Sequence, residues 1–146
     1  MPSALMPTLP QILRPLDTNV IVRLLVGDDS RQTPLAEQTF LEAIASGGVY
    51  LPDVVLAEVA WVLRGYGFDR RVRHGLLERL VRTRGVVVDD IDGVIDALEH
   101  FRQDGDLADQ LILARAARAG ALPVLSFDQR FSACEGVELL AAEPLG

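Results

Sequence analysis

Short runs of branched apolar residues alternate along this chain with longer stretches whose apolar positions recur every three or four residues. A short apolar segment ends at Asp17-Thr18-Asn19, and an apolar, helix-compatible run (20–26) follows at once. Gly27-Asp28-Asp29-Ser30 breaks it, and 34–45 reads as a second helix with Leu35, Phe40, Leu41 and Ile44 on its apolar side, stopped by Gly47-Gly48. Val49 to Pro52 reads as a short buried strand, and Asp53 as the N-cap of a helix over 54–64. Asp69 caps a further amphipathic helix to about residue 84, with Leu76, Leu77, Leu80 and Val81 facing inward. Val86-Val87-Val88 is a strand, and Val94, Ile95, Leu98 and Phe101 give 91–103 helical spacing. A helix capped by Asp106 and stopped by Gly120 follows, then a strand over 123–127 and a last one at 138–140. Strands that alternate with helices predict an α/β fold of three layers, α/β/α, with a short, mostly parallel central sheet.

In such a fold, side chains just past the carboxyl ends of strands line the crevice where ligands bind. Asp17 and Asp128 both stand at strand-to-turn junctions of this kind. Glu58 is the only ionisable residue within Val54-Val55-Leu56-Ala57-Glu58-Val59-Ala60-Trp61-Val62-Leu63. A helix apolar all round is usually buried. Glu58 must then reach solvent, pair, or bind a cation, because an unpaired buried carboxylate is costly. Asp109 lies one turn inside its helix on the same face as Asp106. Capping accounts for Asp106 and the helix dipole favours an acid at 109, so both positions also have purely structural readings. If Asp17, Glu58, Asp109 and Asp128 converge, with Asp106 as a possible fifth, their mutual repulsion calls for a hard divalent cation. Carboxylate sites that hold Mg²⁺ or Mn²⁺ activate water and clamp a phosphodiester for in-line displacement. His74 and His100 are isolated on helices and read as ordinary surface residues.

Composition changes the picture in a few respects. The 146 residues are 49% hydrophobic, which fits a single folded domain. Residues 1–12, with Pro2, Pro7 and Pro10, read as a poorly ordered arm, resembling neither a signal nor a transit peptide, and 13–146 as the domain. No stretch reaches the ~20 apolar residues of a membrane span. A single cysteine, Cys134, fits a reducing, cytoplasmic setting. The net charge of −7 is unevenly spread. Seven arginines stand between 64 and 84 against Asp69 and Glu78, whereas eight acids stand between 89 and 109 against Arg102. A basic groove beside an acidic centre is compatible with that asymmetry, as are solvated helix faces. Lysine is absent, which excludes a Gly-x-x-x-x-Gly-Lys phosphate loop.

Four segments in order, Leu16-Asp17-Thr18-Asn19-Val20-Ile21, Pro52 to Val59 around Glu58, Gly105 to Ala114 around Asp109, and Leu125 to Phe131 around Asp128, resemble the PIN domain, and within it the VapC-type toxins of bacterial toxin–antitoxin pairs. The resemblance implies a metal-dependent endoribonuclease with Asp17, Glu58, Asp109 and Asp128 as its catalytic acids. It implies Mg²⁺ or Mn²⁺ held by Asp17, Glu58 and Asp109, with Asp106 and Asp128 nearby. Asn19 and Ser126 match small polar positions that orient the acids. Gln110 departs from the family pattern, in which a small residue commonly follows the third acid. The resemblance further implies an RNA substrate, a homodimer and a VapB-like antitoxin. The charge pattern alone suggests Arg64, Arg70 and Arg71 as RNA contacts. Three rivals remain: a catalytically idle PIN-like module that binds RNA or protein, a phosphotransfer enzyme of the haloacid dehalogenase type with Asp17 as nucleophile, and a structural α/β domain whose acids never converge. The second suffers from Asn19, where that chemistry usually has an Asp, and from the missing lysine.

Overall fold

The computed structural model describes residues 12–141, so the expected arm at 1–12 lies outside the described residues but for Ile12. The strands are β1 (Arg14–Pro15), β2 (Val49–Tyr50), β3 (Val86–Val87), β4 (Val124–Ser126) and β5 (Val137–Leu139). The helices are α1 (Thr18–Val26), α2 (Gln32–Ser46), α3 (Asp53–Gly65), α4 (Arg70–Arg82), α5 (Ile91–Gln103) and α6 (Leu107–Arg118). Every strand pairing is parallel, in two ladders of order β1-β2-β3 and β4-β5. This is the expected mixed fold, helices around short parallel strands in a three-layer α/β/α plan.

The periodic positions explain the packing. Ile21 of α1, Leu56, Val59 and Leu63 of α3, Leu77 of α4, Val94, Leu98 and Phe101 of α5, and Leu107 of α6 are all but inaccessible to solvent and form one core with Val49 and Leu51. Each such side chain contributes about 1.5–3 kcal/mol by leaving water. The strand β2 fits because Gly48 approaches Gly85 closely: a Cβ on Gly48 would stand 2.8 Å from the Gly85 carbonyl oxygen.

Several local expectations change. Pro52, not Asp53, is the N-cap of α3; Asp53 is its first residue and is held by Arg115. The helix α3 is not apolar and buried all round, since Val54, Glu58 and Trp61 form an exposed stripe at helical spacing. His74 is buried rather than a surface residue, with Nε2 3.1 Å from Glu78, whereas His100 is exposed. Asp69 and Asp106 do cap their helices, accepting from the amides of Val72 and Ala108. No described helix is long and apolar enough to cross a membrane.

Candidate metal centre and cleft

The strand-to-helix turn after β1 gives Asp17 its position. Asp17 is extended and its Oδ1 accepts from the amide of Thr18 at 2.7 Å, while its carbonyl oxygen accepts from Val20 and Ile21. Thr18 is buried, and its hydroxyl donates to Glu58 Oε2 at 2.5 Å across 40 residues of sequence. Asp17 and Glu58 therefore stand either side of one threonine that joins α1 to α3. Glu58 answers the cost of a carboxylate in an apolar run by reaching solvent and accepting a hydrogen bond. Asn19 is exposed on the first turn of α1.

The remaining acids form a second group at the start of α6 and the end of β4. Asp106 Oδ1 caps α6 through Ala108, and Asp128 Oδ1 accepts from the amides of Arg130 and Phe131, in the turn that leads into the short 3-10 helix at Phe131–Ala133. Ser126 Oγ in turn accepts from the Asp128 amide at 3.0 Å, which sets the turn that presents Asp128. Asp109 is half-buried between them. Burial pushes its carboxyl above the usual carboxylate range, and the charges of Asp106 and then Asp128 push it further.

These three acids line a cleft that Arg64, Arg70, Arg73 and Arg130 also line. Arg70 donates to the carbonyls of Phe101 and Gly105, at 2.8 and 2.7 Å, and lies over the Phe101 ring. It thereby ties down the turn before Asp106, where Gly105 adopts φ 87°. Arg73 is buried, donates to the Ala60 carbonyl, and leaves its Nε without a partner. Burial and the nearby charges of Arg70 and Arg64 lower its pKa. Arg130 pairs with Asp104 through two nitrogens. Gln110 is buried, with Nε2 3.6 Å from Cys134 Sγ at the edge of the same cleft.

Of the arginines expected to meet RNA, Arg64 and Arg70 line the cleft, whereas exposed Arg71 is not among its lining residues. The missed residues are Arg73, Arg130 and Trp61. Helical spacing held the signal for Arg73, which lies three residues beyond Arg70 on one face, with Arg71 turned aside. A separate network, also unforeseen, binds Arg115 bidentately to Asp53 at 2.6 Å and to the Asp89 carbonyl, while Arg118 reaches Asp90 at 2.9 Å. It ties α6 to the starts of α3 and α5.

Among the described residues, no three His, Cys, Asp or Glu side chains stand close enough to share an ion. Local contacts still link the acids in two sets: Asp17 and Glu58 through Thr18, and Asp106, Asp109 and Asp128 along the cleft. The donor chemistry nonetheless suits a hard cation: every candidate is a carboxylate, and the charge opposing Asp109 is what a divalent ion would offset.

In this α/β domain, aspartates from a strand end and a helix start thus share one cleft with arginines. A family model for the PIN domain matches residues 16–136, and the chain belongs to that family. PIN domains are generally metal-dependent nucleases. No curated protein and no solved structure matches the chain.

Proposed function

We propose that this protein is an endoribonuclease that hydrolyses RNA phosphodiester bonds with Mg²⁺ or Mn²⁺, and that it acts as the VapC-type toxin of a toxin–antitoxin pair. The observation that carries the chemistry is Asp109, whose ionisation is opposed by burial and by Asp106 and Asp128, in a cleft walled by four arginines. A bound divalent cation would lower the pKa of water and offset charge on the phosphate. Asp109, Asp17 and Glu58 would hold it, with Asp128 and Asp106 beside them, which requires these side chains to draw closer together on binding than they stand without the ion. Asn19 and Ser126 are the small polar groups that keep the acids oriented. Arg64, exposed on the cleft, offers donors to the RNA backbone, which positions the strand without reading its sequence. Cleavage would leave 5′-phosphate and 3′-hydroxyl ends. The family likeness supports a cytoplasmic homodimer held inactive by a VapB-like antitoxin.

That no three acids among the described residues stand close enough to share an ion favours one alternative, an idle PIN module that binds RNA without cutting it. One experiment separates them. Purified, partner-free protein is incubated with structured and unstructured RNAs in Mg²⁺, in Mn²⁺ and in EDTA, beside Asp17→Asn. Metal-dependent cleavage that Asp17→Asn abolishes supports the nuclease. RNA binding with no cleavage under any condition supports the idle module.

A further inference from the structure

Trp61 is the only tryptophan of the chain and would ordinarily belong in a core, yet it is 67% exposed. It sits on the solvent stripe of α3 one turn beyond Glu58, at the mouth of the arginine-walled cleft. The guanidinium of Arg64 lies over its ring, 5.8 Å from the centroid. Trp61 and Arg64 line both that cleft and a neighbouring apolar hollow that runs toward Tyr66. An exposed indole beside a cation, next to a groove with arginines on its wall, combines the two parts of a single-strand binding surface: a flat face for bases and positive charge for the backbone.

Resting on the nuclease reading above, the geometry points to Trp61 as a stacking platform for an unpaired base of the RNA, with Arg64 beside it and the adjoining phosphate led along the cleft toward Asp109. Charge selects this occupant over a protein partner. The cleft's other arginines are held within the fold or balanced by Asp104, Asp106, Asp109 and Asp128, but Arg64, beside Trp61, is exposed and in no ion pair among the described residues, so its charge is open to a phosphate. The distance along α3 fits as well: Trp61 lies three residues, about 4.5 Å of helix rise, from Glu58. Duplex RNA keeps its bases paired and stacked, so the platform selects single strands or loops. Trp61 is a positioning residue for the substrate and takes no part in the bond change.

Because this indole is the sole one, its fluorescence reports on the platform alone. The full-length protein in EDTA, where cleavage is not read, is titrated with short oligomers of U, A and C and with an A·U duplex. Binding of labelled oligomers is followed in parallel by anisotropy for wild type, Trp61→Ala and Trp61→Phe. The expected result is saturable quenching by single strands and little by duplex, affinity weakened about tenfold in Trp61→Ala and largely kept in Trp61→Phe. Binding without quenching, equal affinity in Trp61→Ala, or no binding of any oligomer overturns the assignment. So does an emission change that tracks protein concentration without RNA, which would give this face to a second copy of the chain. A chain that fails to cut RNA yet shows the quench would defeat the nuclease reading and leave the platform standing.

Discussion

Asp17 with Glu58, and Asp109 with its two neighbours, are built from the same functional group and held in opposite ways. The first pair is satisfied within the fold: Asp17 caps α1, and the buried Thr18 hydroxyl donates to Glu58. The second group places acid beside acid, and its half-buried member, Asp109, is pushed toward its protonated form by burial and by Asp106 and Asp128. One arrangement stabilises the chain as it stands. The other lowers stability at neutral pH unless a positive charge offsets it. The comparison separates two ways of holding an acid: the first pair is tied to the fold by hydrogen bonds, and the second group leaves charge that a cation would offset.

The sharpest way to break that contrast is through activity. If the proposed nuclease reading holds, Asp109→Asn should lower metal-dependent RNA cleavage by about a thousandfold, since several kcal/mol of charge stabilisation would rest on the cation assigned to it. Single-turnover cleavage assays check this, and near wild-type rates would remove Asp109 from the centre. Next in size is Arg70→Ala, which frees the Phe101 and Gly105 carbonyls and loosens the turn that presents Asp106 and Asp109. A supporting contact of this kind is typically worth 10–100-fold, so a loss of about thirtyfold in cleavage is expected. An unchanged rate would mean that the turn holds without it.

Stability sharpens the contrast with opposite signs. Thr18→Val keeps the buried shape but removes the donor to Glu58, and should cost about 1.5–2 kcal/mol in urea unfolding. Asp109→Asn should instead raise stability at neutral pH. Because the folded-state pKa of Asp109 lies above its ordinary value, the folded chain binds more protons between the two, and stability falls as pH rises through that interval. The gain from Asp109→Asn should therefore be present above the interval and fade as pH is lowered through it. Thermal melts of both proteins across mildly acidic to neutral pH, in EDTA, check the sign. Thr18→Val and Asp109→Asn shifting in the same direction would erase the distinction between the two groups.

Much of this was legible in residue order. The alternation of apolar runs gave each strand within a residue or two, and Asp69 and Asp106 announced their helices because a cap uses local chemistry alone. The candidate acids were legible for a related reason: each stands at a strand end, at a helix start, or alone in an apolar run. What was hidden depends on partners far away in sequence. Thr18 meets Glu58 across 40 residues and Arg115 meets Asp53 across 62, and nothing local marks either contact. The exposure of Trp61 was masked because α3 is apolar on both faces; hydrophobicity alone could not say which face the core takes. Arg71 was chosen over Arg73 by charge density, whereas helical spacing decides which arginine lies beside Arg70.

The most direct test of the central claim, that both groups of acids serve one cation, is calorimetric titration of Mn²⁺ into wild type, Asp17→Asn and Asp109→Asn at neutral pH. The account predicts saturable binding by wild type and at least about tenfold weaker binding by each variant, as loss of a carboxylate ligand requires. Binding by Asp17→Asn at wild-type affinity would contradict it, leaving Asp17 and Glu58 as a structural pair and confining the cation to the cleft around Asp109.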